Sequence, residues 1–408
     1  MIDINLIREN PTLVKENMKK KFQEAKVGLV DEAYKLDKDY REVLTRASEI
    51  RSLRNKYSKE IGALMREGKR DLAEEIKAKV TSMADELKDL EVKEEDYGKE
   101  LKEIMMKIPN IIHDSVPIGK DDSENVEIQK YGDPVVPDYE IPYHADIIAR
   151  FDGLDKEASG RTSGNGFYYL MGDIARLSSA MLSYARDFMI DKGFTYCIPP
   201  FMIRSDVVTG VMSFDEMDAM MYKIEGEDLY LIGTSEHSMI GKFKDQIVKE
   251  EDLPITMTSY SPCFRKEVGA HGIEERGIYR VHQFEKQEMV VLCKPEEAME
   301  WYDKMWSYTV ELFRSLDIPV RTLECCSQKY FEVGSCSTLG DAQARRLGIR
   351  AKGENGNYYV STLNNTVLAS TRAVIAFIEN NYNEDGSINI PEALRPYMGG
   401  KDIIIPKK

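Results

Sequence analysis

Apolar residues recur at alternating steps of three and four along two successive stretches, and no other feature restricts the fold of this chain so strongly. Ala33, Leu36, Tyr40, Val43, Ala47, Ile50, Tyr57, Ile61 and Leu64 form the first run, with Arg54 in its one polar slot. After the polar turn Arg66-Glu67-Gly68-Lys69 the pattern resumes at Leu72. It then passes through Ile76, Val80, Met83, Leu87, Leu90, Tyr97, Leu101, Ile104 and Ile108, broken only at Glu94. Spacing of this kind, held over several heptads, puts an apolar edge on each helix, and the two edges can be buried only against each other. The short turn makes the pair antiparallel. At about 1.5 Å per residue, roughly thirty residues per helix give an arm of about 45–50 Å. A shorter helix over residues 4–21, following the cap-like Asp3, precedes the hairpin.

The turn is also where the charge changes sign. Residues 51–79 hold nine Lys and Arg against five acids, whereas the whole chain carries a net charge of −15. Affinity for nucleic acid comes from Lys and Arg, so the bulk charge excludes a general nucleic-acid binder and leaves this local surface to meet a polyanion. Arg51, Arg54, Lys69 and Arg70 are the candidate RNA contacts; a solvated helical face accounts for the same charges as readily. No stretch approaches the ~20 apolar residues of a membrane span. The start Met1-Ile2-Asp3-Ile4-Asn5 has neither the basic residues nor the apolar run of a signal peptide. Six cysteines, with Cys325 and Cys326 adjacent, read as the reduced thiols of a cytoplasmic protein.

Pro109 ends the second long helix, and residues 109–142 carry five prolines among many acids. The expected organisation is therefore a helical arm over 1–110, a linker over 111–142 and a body over 143–408. In the body, helices are expected over 174–192, 295–316 and 367–380. Strands are expected over 195–198, 229–232, 257–264, 278–292, 330–333 and 358–361. Strands clustered between long helices, without regular βαβ alternation, indicate an α+β fold with an antiparallel sheet. No phosphate-cradling glycine loop is present, so side-chain cations would have to hold any nucleotide phosphates. Arg265 and Arg280 fall on two expected strands joined by a charged loop, placed to face one ligand, and a guanidinium fork matches phosphate oxygens. The loop itself carries His271, Glu274, Glu275 and Arg276, suited to contacts with a base or an RNA end.

These segments resemble the three signature motifs of class II aminoacyl-tRNA synthetases, and in detail the seryl-tRNA synthetase family. Gly193-Phe194 through Pro199-Pro200 is similar to motif 1. Phe264-Arg265-Lys266-Glu267 through Arg280-Val281-His282-Gln283-Phe284 is similar to motif 2, and Asn364-Asn365-Thr366-Val367-Leu368-Ala369 through Arg372 to motif 3. The triplet Thr234-Ser235-Glu236, the run Glu332-Val333-Gly334-Ser335-Cys336-Ser337 and the long arm point to the seryl members.

The resemblance implies roles residue by residue. Arg265 would hold the α-phosphate of ATP, Lys266 and Glu267 would lie along the nucleotide, and Val281 and Phe284 would form the adenine shelf. Glu332 and Ser335 would ligate Mg²⁺, with Val333 and Gly334 between them, and Arg372 would sit by the γ-phosphate. Thr234, Ser235, Glu236 and Glu288 would bind the serine ammonium, and Asn364 and Thr366 would line the hydroxyl pocket. It also implies tRNA(Ser) as acceptor and a homodimer. Chemically the set is coherent. Adenylation brings two anions together, so catalysis rests on positioning and on cationic charge from Arg265, Arg372 and a metal held by Glu332. Serine is separated from alanine by a hydroxyl that the pocket must hydrogen-bond.

One stretch departs from the family. Seryl-tRNA synthetases carry about twenty further residues, enough for a short helix and a strand, before the Glu-x-x-Ser segment. Here Leu323-Glu324-Cys325-Cys326-Ser327 runs directly into Gln328-Lys329-Tyr330-Phe331-Glu332. Ser361-Thr362 also stands where His-Thr is common. Two other readings fit the same residues: a relative that aminoacylates a non-tRNA acceptor, and a non-catalytic tRNA-binding relative.

Overall fold

Asp3 accepts a hydrogen bond from the backbone of Asn5 and opens helix α1 (Ile4–Glu9). Asn10 then caps a second helix, α2 (Pro11–Lys20), through the Leu13 N–H. The single helix expected over 4–21 is thus two, because Pro11 has no N–H to donate and its ring displaces the preceding turn. Helices α3 (Gly28–Arg66) and α4 (Arg70–Lys107) form the antiparallel hairpin that the heptads require. They run to 39 and 38 residues, or about 57 Å, longer than expected because helical spacing continues through polar flanks. Ala47, Ile50 and Leu87 are buried between them, and α1 and α2 add Ile7, Val14 and Met18 to a cluster with Val30, Ala33, Met105 and Ile108. Asp37, buried in that region, is neutralised by Arg8 at 2.6 Å and Arg41 at 2.9 Å. Without those two donors, a carboxylate there would cost several kcal/mol.

This computed structural model describes residues 1–267, 277–326 and 332–407, which form two compact units, Met1–His113 and Asp114–Lys408. The second unit begins within the segment read as a linker, which carries strand β1 (Val126–Tyr131). Helix α5 (Gly172–Asp191) is closed by Gly193, whose φ of 87° suits glycine, and leads into strand β2 (Thr195–Tyr196). There follow helix α6 (Glu236–Gly241), strands β3 (Ile255–Phe264) and β4 (Gln283–Cys293), and helix α7 (Ala298–Ser315). The chain continues through strand β5 (Val320–Glu324), strand β6 (Cys336–Thr338), helix α8 (Ala342–Leu347), strand β7 (Ser361–Ala369) and helix α9 (Ser370–Asn380).

The main sheet has the order β6-β7-β4-β3-β2 and is antiparallel except for the parallel β2–β3 pair. Its core is β4, where Met289 to Cys293 are all fully buried. Each such side chain contributes about 1.5–3 kcal/mol. Alternate residues share a face, so Met289, Val291 and Cys293 pack on one side with α5, α7 and α9, and Val290 and Leu292 on the other with α6 and α8.

Three expectations are corrected here. β4 starts at Gln283, not 278, so Arg280 lies in the bends before it, where the chain turns aside to bond His282 N–H to the Gly166 carbonyl. Val367 to Ala369 are strand rather than helix, because they complete the β7–β4 ladder. Of the strand expected over 330–333, residues 330 and 331 lie outside the described residues, and Glu332 and Val333 are not strand; the strand is Cys336–Thr338. Among the described residues β6 is the last strand on that side of the main sheet, and β5 pairs instead with β1.

Candidate active site

Two charges in the middle of β4 mark the site. Lys286 and Glu288 share one face, both are buried, and their Nζ and Oε2 lie 2.7 Å apart. In the ladder Glu288 stands opposite Ser259 on one side and Thr366 on the other. Lys286 Nζ also donates to Thr366 Oγ1 at 3.4 Å. Desolvating such a pair costs more than an apolar pair of the same volume, so its presence here is weak evidence of a stabilising role. A bulge between Thr366 and Leu368 re-aims β7, and Thr362, Asn364 and Thr366 lie on the Glu288 face.

Helix α6 brings the third charge. Glu236, in its first turn, accepts a hydrogen bond from Gln343 Nε2 at 2.9 Å. Burial, and after it the neighbouring Glu288 carboxylate, push the Glu236 carboxyl up to about 7. Burial, then Arg265 and Lys286, press the adjacent His237 imidazole down to about 3, so it is neutral. Beside them, Thr234 Oγ1 and Ser235 Oγ are buried without a hydrogen-bond partner among the described residues.

The second half of the site is cationic. Arg265, one residue beyond β3, donates from Nε to the Gly233 carbonyl at 3.2 Å and holds its guanidinium 5.4 Å from the centre of the Phe284 ring. Arg372, near the start of α9, bonds the Glu332 carbonyl, lies 3.9 Å from Glu332 Oε1 and covers the Tyr279 ring at 4.8 Å. Burial raises the Glu332 carboxyl, while Arg372, Arg265, Lys286 and Arg280, in falling order, pull it down. Four cations from separate parts of the chain therefore act on one carboxylate, whose Oε2 is buried without a hydrogen-bond partner among the described residues.

Other expected residues fall around this centre or away from it. Arg280 pairs with Glu267 at 3.4 Å, and Glu267 has a φ of 44°. Lys266 sends its ammonium to the Asp218 carbonyl at 3.0 Å. Val281 is buried, Val333 and Ser335 are exposed, and Thr366 N–H donates to the Ser335 carbonyl at 3.2 Å. A Cβ on Gly334 would press the Thr366 carbonyl at 3.1 Å, so the chain passes β7 closely there. His271, Glu274, Glu275 and Arg276 lie outside the described residues. On the hairpin, Arg51 is tied across to Glu91 and Glu94, both at 3.1 Å, and Lys69 to Glu67 at 2.8 Å. Lys286 and Gln343 are the site residues that the sequence reading did not single out. A lysine two positions before Glu288 in a buried strand was the available signal for the first.

Comparison with known proteins gives the same picture. Residues 1–112 match the family description "Seryl-tRNA synthetase N-terminal domain", and residues 221–329 match "tRNA synthetase class II core domain (G, H, P, S and T)". A serine–tRNA ligase of Methanospirillum hungatei is 36% identical over 427 aligned positions, covering 99% of this chain and all of that relative. The crystal structure of seryl-tRNA synthetase from Pyrococcus horikoshii complexed with ATP superposes with a TM-score of 0.92 at 37% identity, covering all of both chains. Cytoplasmic serine–tRNA ligase from Naegleria fowleri in complex with AMP gives 0.87 at 31%, covering all of this chain and 99% of that one. The aligned length with the M. hungatei protein exceeds the 408 residues here, so that relative holds residues this chain lacks.

Proposed function

The chain belongs to the seryl-tRNA synthetase family, and from that premise we infer that it activates L-serine with ATP and passes the seryl group to tRNA(Ser). In the first step a serine carboxylate oxygen attacks the α-phosphorus of ATP. The bond to the bridging oxygen breaks, and pyrophosphate leaves with that electron pair. In the second, a ribose hydroxyl at the tRNA end attacks the seryl carbonyl and AMP departs.

The observation that carries this reading is the Glu332 carboxyl set among Arg372, Arg265, Lys286 and Arg280. Arg265 takes the α-phosphate and Arg372 the γ-phosphate, stabilising charge as it moves to the leaving group. Phe284 and Val281 form the adenine wall, with Glu267 alongside. The serine ammonium lies between the side chains of Glu236 and Glu288, and the Thr234 hydroxyl accepts from it. The side-chain hydroxyl meets Asn364 and Thr366, and alanine, lacking that group, leaves them unpaired. The two solved relatives, complexed with ATP and with AMP, accord with this use of the pocket.

Mg²⁺ fits the residues present. Glu332 Oε2 is a buried hard oxygen with no hydrogen-bond partner, and the Ser335 hydroxyl stands three residues on. Among the described residues no three His, Cys, Asp or Glu gather as a complete metal cage, which matches an ion that draws most of its ligands from phosphate and water. When bound, it would neutralise phosphate charge.

A homodimer is also part of the reading. Ile190, Ile198 and Met202, on and after α5 and β2, expose large apolar surface, with Ile198 71% exposed. A groove of about 660 Å³ beside them is lined by Ser179, Leu182, Arg186, Tyr196 and Tyr260, among others. Exposed apolar surface on adjoining elements marks an interaction face.

Charging of tRNA(Ser) with L-serine, ATP and Mg²⁺ tests the proposal. The full chain is expected to charge it, and Arg265→Ala to lose at least about a hundredfold in rate. Retained charging by that variant would contradict the assignment.

A further inference from the structure

Glu236 is held by a relay that the reaction scheme above does not use. Gln343, on α8, is 4% exposed and makes two short side-chain bonds. Its Nε2 donates to Glu236 Oε1 at 2.9 Å, and its Oε1 accepts from Thr362 Oγ1 at 2.6 Å. Thr362 is fully buried in β7, on the same face as Asn364 and Thr366. The longer contact of Nε2 with the Val211 carbonyl, 3.4 Å, completes the set. We propose that Gln343 is a positioning residue for amino-acid recognition, fixing the Glu236 carboxylate for the substrate ammonium, and that Thr362 holds the Gln343 amide in place by donating to its oxygen.

The polarity of the groups leaves one arrangement. An ionised carboxylate only accepts, so the amide must present its NH₂ to Glu236. Its oxygen then faces β7, where only a donor is tolerated, and the Thr362 hydroxyl supplies it. A flipped amide would aim its oxygen at the Glu236 carboxylate and the Val211 carbonyl, so those two acceptors close off the flip. The groups facing Glu236 are Glu288 and Lys286 from β4, Arg265 beyond β3, and neutral His237 on its own helix. Lys286 is already paired with Glu288, and Arg265 Nε is already bonded to the Gly233 carbonyl. Among the described residues Gln343 is the one group that hydrogen-bonds the Glu236 carboxylate. Removing that donor leaves the carboxylate with less to stabilise its charge beside Glu288, so it holds its proton to higher pH and binds an ammonium less well. Thr362 is linked to Glu236 through this chain of two bonds.

The inference rests on the reading of this pocket as the serine site, and the test separates the two. Serine-dependent exchange of pyrophosphate into ATP is followed against pH for wild type, Thr362→Val, Thr362→Ser, Gln343→Met and Glu236→Gln. Thr362→Val is nearly isosteric and is expected to raise KM for serine about tenfold or more, to leave KM for ATP within about twofold, and to move the pH midpoint of the serine KM upward. Gln343→Met is expected to do the same more strongly, and Thr362→Ser, which keeps the hydroxyl, to restore wild-type values. A Thr362→Val variant with unchanged serine KM and pH midpoint, alongside a Glu236→Gln variant with a raised KM, overturns the relay and leaves the serine pocket standing. A Glu236→Gln variant with unchanged serine KM overturns the pocket assignment and the relay together.

Discussion

A carboxyl buried beside another carboxyl keeps its proton longer than either would alone, and Glu236 is in that position beside Glu288. Its pKa of about 7 lies above the ordinary value of 4.5, so between those limits the folded chain binds a proton that the unfolded chain has released. The stability tied to the neutral form is complete below pH 4.5 and is lost as pH rises through about 7. Glu236→Gln removes that loss. The variant is expected to be more stable than wild type by on the order of 2 kcal/mol at pH 8, with the advantage gone at pH 4. The same change is expected to raise the serine KM, a cost to function in exchange for stability. Urea unfolding at the two pH values checks the first effect. Glu288 behaves oppositely. Glu288→Ala strands the Lys286 ammonium in a buried sheet centre and is expected to cost about 3–5 kcal/mol, read by the same unfolding experiment.

At the scale of elements, the hairpin separates its cations into two groups. Arg51 is bound to Glu91 and Glu94 on the opposite helix, and Lys77 and Lys79 to Glu74 and Glu75 on their own. Lys56, Lys59 and Arg66 are exposed, have no ion pair among the described residues, and recur at helical spacing two residues out of phase with the seam at Arg54, Tyr57, Ile61 and Leu64. Two residues turn the helix by about 200°, so this row faces away from α4. Reversing all three to Glu is expected to weaken tRNA binding by at least about tenfold and to flatten its salt dependence by nearly one unit of slope per charge lost. Arg51→Ala is expected to change hairpin stability by less than about 1 kcal/mol and binding only slightly. Filter binding across a salt series distinguishes them. The hairpin was legible because a buried edge repeats every three to four residues. The end of β7 was not, because Val367, Leu368 and Ala369 are buried on every side and such a run has no period to read. The motif order singled out Arg265, Arg372 and Glu332, which the structure brings together, whereas Gln343 was silent because its partner Glu236 lies 107 residues away in the chain.

For the molecule as a whole, two features set what it can do. The apolar surface at Ile190, Ile198 and Met202 is expected to be covered by a second copy, so light scattering at micromolar concentration should give a mass near twice the chain's 46.7 kDa. A monomer at that concentration would contradict the dimer. The other feature is the approach of Glu332 Oε1 to the Arg372 guanidinium, 3.9 Å. The central claim is that this frame gathers guanidinium groups and a carboxylate around one triphosphate and one serine. Exchange of labelled pyrophosphate into ATP by the purified full chain measures that directly. Exchange that requires L-serine, is not supported by L-alanine and disappears in Arg372→Ala is the expected result. A folded protein that shows no serine-dependent exchange would contradict it.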